Sequence, residues 1–95
     1  MLFLIKTEIE HMPNMDQETF QSMVRKQWSY VLELKKNGKF DSAYRMAGRK
    51  GGIAIADIES AGELNKILSM MPLYPWLKVE VIPLVTMEDK SSRVP

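Results

Sequence analysis

Cysteine is absent from the 95 residues, which removes disulfide frameworks, thiol nucleophiles and zinc knuckles from consideration. Histidine occurs once, as His11. One imidazole cannot anchor a two-histidine metal site, and no His/Asp/Glu spacing of the metal-binding kind is present, so no metal is expected. An excess of either charge is missing too: 13 basic against 12 acidic residues leave a formal charge of +1. A nucleic-acid binder usually carries a clear basic surplus. The apolar runs fall far below the roughly 20 residues of a membrane span. Met1 to Ile9 has no positive n-region and is interrupted by Lys6 and Glu8, unlike a signal peptide. There is no glycine-rich phosphate loop or nucleotide fingerprint, and no internal repeat. Ser42 and Ser60 have no neighbouring base to activate them. These absences predict a cytoplasmic protein without cofactor, nucleic-acid partner or membrane partner.

What is present is an ordinary globular composition, 45% hydrophobic and 26% charged. The length allows a single hydrophobic core, expected over residues 1–85, followed by a polar tail at 86–95. A domain this small buries only about two-thirds of its unfolded surface, so oligomerisation is expected to add to its stability. The eight methionines are read as core filler.

Leu2 to Ile9 reads as a strand, with Phe3, Ile5 and Ile9 alternating against Lys6 and Glu8. After Pro13, two N-cap candidates compete: Asn14, with capping-box spacing to Gln17, and Asp16. A helix from about 16 to 37 follows, with Lys35 and Lys36 in its last turn and Gly38 as C-cap candidate. Strands are predicted at 42–49 and 52–58, joined by a hairpin at Gly51-Gly52. Ser60-Ala61-Gly62-Glu63 is a complete capping box, followed by Leu64, Ile67, Leu68 and Met71 at helical spacing. Pro72 and Pro75 end that helix, and 76–85 is the fourth strand. The order β-α-β-β-α-β is that of the ferredoxin-like α+β sandwich, a four-stranded antiparallel sheet with two helices on one face. The other face is left for a partner sheet, which would enclose a cavity between two copies.

The apolar stripe of the long helix is Phe20, Met23, Val24, Val31 and Leu34, with Gln27 in its middle and Trp28, Leu32 and Tyr30 widening it. A buried amide without hydrogen bonds costs about 1–3 kcal/mol. Gln27 is therefore either partnered inside the fold or turned to a polar cavity, expected to be the hollow between paired sheets. Arg45, between apolar Tyr44 and Met46, is either a bidentate clamp for a carboxylate or the partner of Asp57 or Glu80. Lys6 and Glu80, midway along their strands, either line the same cavity or form ion pairs. His11, with a reference pKa near 6.5, is the one imidazole available for proton transfer.

Read in order, Met1-Leu2-Phe3, Gly38-Lys39-Phe40, Tyr44-Arg45, Gly48-Arg49, Asp57-Ile58-Glu59-Ser60, Glu63-Leu64, Pro72-Leu73-Tyr74-Pro75-Trp76, Val81 and Pro83-Leu84 resemble the muconolactone delta-isomerase family. The resemblance covers residues 1 to about 84, and the Pro-Leu-aromatic-Pro-aromatic run is its most specific part. It implies a ferredoxin-like protomer that pairs into homodimers and assembles further, into decamers in the isomerases. It also implies a cofactor-free proton shift in aromatic catabolism, moving the double bond of muconolactone to give the 3-oxoadipate enol-lactone. Such chemistry needs a base beside the lactone, and a cation or hydrogen-bond donors for the carboxylate and the developing enolate.

The family pattern has an acid where this chain has Gln27, a lysine at Trp28 and a larger aromatic at Ala56. A glutamine cannot shuttle a proton, while Trp28 and Ala56 suggest a differently shaped, less polar pocket. The candidate catalytic set is His11, Gln27 and Arg45; the candidate substrate-binding set is Lys6, Trp28, Tyr44, Ala56 and Glu80. The expected ligand is a small carboxylated lactone or aromatic-derived molecule. Two other functions fit the same residues: a cofactor-free ferredoxin-like oxygenase with an apolar cavity, and a non-catalytic small-ligand-binding or assembly module.

Overall fold

A computed structural model of the chain describes residues 1–87. Most of the segment read as a polar tail, 86–95, lies outside the described residues. The elements are β1 (Leu2–Ile9), α1 (Gln17–Lys36), β2 (Phe40–Arg45), β3 (Gly51–Asp57), α2 (Ala61–Ser69), a 3-10 turn at Tyr74–Trp76 and β4 (Leu77–Leu84). All strands are antiparallel, in the order β2-β3-β1-β4. This is the ferredoxin-like order that the sequence predicts.

Both helix starts follow from side chains that replace missing backbone partners. Asp16, rather than Asn14, caps α1: its carboxylate accepts from the Thr19 N–H at 3.1 Å. That bond holds the Asp16 carboxyl below the usual carboxylate range. Ser60 Oγ accepts from the Glu63 N–H at 3.1 Å, and Glu63 reaches back to the Glu59 N–H at 3.1 Å. The other Glu63 oxygen pairs with Lys39 Nζ at 2.6 Å, tying the start of α2 to the end of α1. Gly38, just beyond α1, has φ +80°, a backbone state that glycine adopts without steric cost.

The β2–β3 connection differs from expectation. β2 begins at Phe40 and ends at Arg45, and the turn runs through 46–50 with Gly48 at φ +73°. Gly51 and Gly52 lie inside β3, paired with Glu8 and Thr7. A Cβ on Gly51 would land on the Thr7 carbonyl, and one on Gly52 would sit 2.8 Å from the Tyr44 carbonyl. The glycine pair permits close strand approach rather than a two-residue hairpin, a use of glycine that its dipeptide signal does not distinguish.

Register assigns the two faces of the sheet. Phe3, Ile5, Ala54, Ala56 and Phe40 turn towards the helices and are buried with Leu64, Ile67, Leu68 and Met71 of the α2 region. Ala56 is 0% exposed and is the cross-strand partner of both Phe3 and Phe40, so the two rings occupy the space that a larger side chain would need. The Tyr30 hydroxyl donates to the Ile67 carbonyl at 2.7 Å and joins the two helices; burial raises the Tyr30 pKa.

α1 is seated less deeply than its stripe suggests. Phe20, Met23, Val24, Val31 and Leu34 are only partly buried, and the single buried residue of the helix is Gln27. Beneath it the sheet carries small residues, Ala43, Gly52 and Ala54. Small side chains under an incompletely seated helix leave a hollow between the two layers.

Gly51→Ala is expected to destabilise the fold by about 1–3 kcal/mol: the Met46 side chain can move aside, but the Thr7 carbonyl and Glu8 Cα are backbone, so the strands must part. Chemical denaturation should show a lower midpoint at unchanged slope.

Candidate functional site

The hollow between α1 and the sheet is a cleft of about 650 Å³, within the range of small-molecule sites. Val24, Trp28 and Val31 face it from α1, Ala43 and Ala54 from the sheet, and Leu73 closes one end. Its wall is mostly apolar, and its charge is of one sign. Arg25, Arg45, Arg49 and Lys50 line it, whereas no aspartate or glutamate does so among the described residues. A cationic, apolar cleft favours a small anion with a hydrophobic body.

The cations differ in availability. Arg49, on the β2–β3 turn, is held by Glu8 of β1 through two bonds, Nε to Oε2 at 2.9 Å and Nη2 to Oε1 at 2.6 Å. This bidentate pair lowers the Glu8 pKa and raises that of Arg49, chiefly through the hydrogen bonds. Arg45 has no carboxylate partner among the described residues. Its guanidinium lies 4.2 Å from the centroid of the Trp28 ring, a cation–π contact that orients the group without occupying its N–H donors. Asp57, an alternative partner in the sequence, lies 3.6 Å from the N-terminal amine of Met1 instead.

Gln27 is 8% exposed. Its Oε1 accepts from the Leu73 N–H at 3.2 Å, a bond between the middle of α1 and the chain ahead of β4. The residue therefore looks toward the helix-bearing side of the sheet and into this cleft. It does not reach the open face where a hollow between paired sheets was expected. The stripe of a helix packed on a sheet can only address the face on which the helix lies.

Of the other predicted site residues, Trp28 and Arg45 share the cleft with Gln27. Tyr44 lines its edge on β2 and is 69% exposed; it alternates with Ala43 and Arg45, which places its ring towards the opposite face. Ala56 lies in the core beneath the helices, outside the cleft lining. His11 is exposed just beyond β1 and also lies outside the lining. Lys6 and Glu80 are direct cross-strand partners on the open face, an arrangement suited to charge pairing. Sequence reasoning did not single out Arg25, Arg49, Lys50 or the Leu73 N–H. For Arg49 and Leu73 a signal existed, in the Gly48-Arg49 and Pro72–Trp76 motifs; Arg25 and Lys50 carry none.

Together these features define a ferredoxin-like domain with a donor-rich, mostly apolar cleft between its long helix and its sheet. The family model described as Muconolactone delta-isomerase matches residues 1–90, and the chain belongs to that family. It is 35% identical over 85 residues to the Muconolactone Delta-isomerase of Acinetobacter baylyi, covering 88% of each chain. It is 32% identical over 83 residues to that of Rhodococcus opacus, covering 87% of this chain and 89% of the relative. A crystal structure of muconolactone isomerase superposes with a TM-score of 0.84 at 23% identity, over 96% of this chain and 95% of that one. The fold also matches a 5-chloro-2-hydroxyhydroquinone dehydrochlorinase from Burkholderia phenoliruptrix, solved with 2,5-dihydroxybenzoquinone. That match has a TM-score of 0.64 at 16% identity and covers 90% of this chain and 94% of the other.

The Glu8–Arg49 bridge should appear in the pH dependence of stability. The folded pKa of Glu8 is depressed. Its contribution is therefore complete above the unfolded value of about 4.3 and is lost as pH falls through the lower folded value. The melting temperature of Glu8→Gln should lie below that of wild type at neutral pH, and the two should converge in acid.

Proposed function

We propose that the cleft between α1 and the sheet binds a small carboxylated lactone, and that the protein isomerises it by a cofactor-free proton shift in aromatic catabolism. The observation that carries this is an apolar cleft whose Arg45 is aimed by Trp28 and free of any carboxylate partner among the described residues. Membership of the muconolactone delta-isomerase family supports the reaction class. Arg45 receives the ligand carboxylate, and the apolar wall of α1 and the sheet holds the ring. Donors around the lactone carbonyl lower the cost of charge on its oxygen as the γ C–H bond, conjugated to it through the double bond, ionises. No carboxylate or imidazole lines the wall among the described residues, so the protein acts chiefly by electrostatic stabilisation of the enolate. Water entering the open side of the cleft takes the proton from the γ-carbon of the ring and returns it to the α-carbon, two positions away, as the double bond moves from Cα=Cβ to Cβ=Cγ.

The open face supports a homodimer. Leu4, Ile53, Ile55, Ile82 and Leu84 share that face by register, beside the opposed pairs Lys6–Glu80 and Glu8–Lys78. An apolar sheet face bordered by charge pairs is suited to packing against a second copy of itself.

Two experiments test these assignments. With muconolactone followed spectrophotometrically, the wild type should turn over. Arg45→Leu should raise KM about tenfold or more, the cost of one charge-assisted bond, and the methyl ester of the substrate should be insensitive to the substitution. Absence of wild-type turnover, with muconolactone stabilising the protein against heat, would leave a binding module in place of an enzyme. For assembly, sedimentation should show a dimer or larger species in the wild type and monomer in Ile55→Glu. A monomeric wild type would remove the proposed interface.

A further inference from the structure

We infer that Gln27 is a hydrogen-bond donor to the bound ligand and sets the specificity of the cleft for acceptor oxygens. This rests on the proposed binding of a small anion in the same cleft. A carboxamide has one acceptor atom and one donor atom. The backbone N–H of Leu73 can only donate, so the atom 3.2 Å from it must be the carbonyl oxygen of Gln27. The orientation of the amide is thereby settled by chemistry: Oε1 is engaged, and the group left over is the NH2.

Nε2 makes no hydrogen bond to the described residues. Yet no buried side-chain nitrogen or oxygen among them lacks a partner, so Nε2 is not sealed in the core. Gln27 itself lines the cleft. An otherwise buried amide, anchored at its oxygen and open at its nitrogen, presents N–H groups into an apolar space. Because the helix backbone holds one end and Leu73 the other, little side-chain freedom remains to be lost when a ligand binds.

The neighbours point the same way. The next residue, Trp28, aims the Arg45 guanidinium, which has donors and no acceptor. Arg25 and Lys50 add further donors, and no carboxylate answers them from the wall. The cleft thus offers donors to a ligand rich in acceptors: a carboxylate at Arg45, and a carbonyl or enolate oxygen at Gln27. An acid at position 27 would invert this at neutral pH, placing a fixed negative charge where the ligand gathers its own.

Gln27→Glu isolates the donor from the fold, because a glutamate oxygen still accepts from the Leu73 N–H in either protonation state. The probes are muconolactone and benzoate, with affinity measured calorimetrically from about pH 7.5 down to about pH 5, above the ordinary glutamate value near 4.3. Wild-type affinity should be nearly flat over this range. Gln27→Glu should bind either anion about tenfold more weakly at neutral pH, and the deficit should narrow in part towards pH 5 as acid begins to return a proton, and hence a donor, to residue 27. A group serving only to hold Leu73 would show no such pH dependence. Gln27→Met, which has no N–H and no charge, should weaken binding about fivefold. It provides the same comparison if the glutamate variant does not fold.

Equal affinity of wild type and both variants would overturn the donor assignment and leave the proposed function standing. Binding of benzoate but not muconolactone, lost in Gln27→Glu, would uphold the donor and overturn the lactone. If the wild type binds neither anion, both fall together.

Discussion

The hydrogen bond from the Leu73 backbone to Gln27 is the constraint around which this protein is arranged. It is the point at which the middle of α1 is held to the body of the domain, and Gln27 is the one buried residue of that helix. Flanking apolar residues are only half-buried because the sheet below presents alanine and glycine rather than large side chains. A helix held at its centre by a polar contact, over a floor of small residues, leaves space on either side of that contact. α2 shows the opposite arrangement: its apolar residues Leu64, Ile67 and Leu68 are all buried.

The electrostatics of the cleft follow from how each cation is restrained. Arg49 is neutralised by Glu8, a residue of the adjacent strand, and so serves to fix the β2–β3 turn against β1. Arg45 is restrained by an aromatic face, which orients it without pairing it to a carboxylate among the described residues. Two arginines four residues apart thus stand in different surroundings, one tied to a carboxylate and one stacked on an indole. What restrains each depends on whether a carboxylate or an indole happens to lie within reach. Trp28 contributes no charge of its own but a surface on which the Arg45 guanidinium lies.

Much of the fold was legible along the chain because its signals are local. Asp16 and Ser60 cap helices by bonds to residues three positions away, and the alternation of Phe3 and Ile5 against Lys6 marks a strand through its period. The β2–β3 turn was misplaced because Gly51-Gly52 carries the signature of a hairpin, while its cause lies in the carbonyls of Thr7 and Tyr44 on neighbouring strands. Gln27 was conspicuous as an amide in an apolar stripe. Its partner could not be seen, since Leu73 lies 46 positions away and contributes a backbone group that every non-proline residue possesses.

The sequence by itself determined the elements, their order and the ferredoxin-like topology, because periodicity, caps and turn residues act over a few positions. It also determined the chemical inventory: no thiol, a single imidazole, and an amide in the place of an acid. Tertiary structure alone decided which face of the sheet holds the cleft, which of Arg45 and Arg49 meets a carboxylate among the described residues, and which end of the Gln27 amide is bonded to Leu73. Each of those outcomes depends on the distance between groups remote in the chain, and hydrogen bonds and charge pairs form or fail within an ångström of that distance.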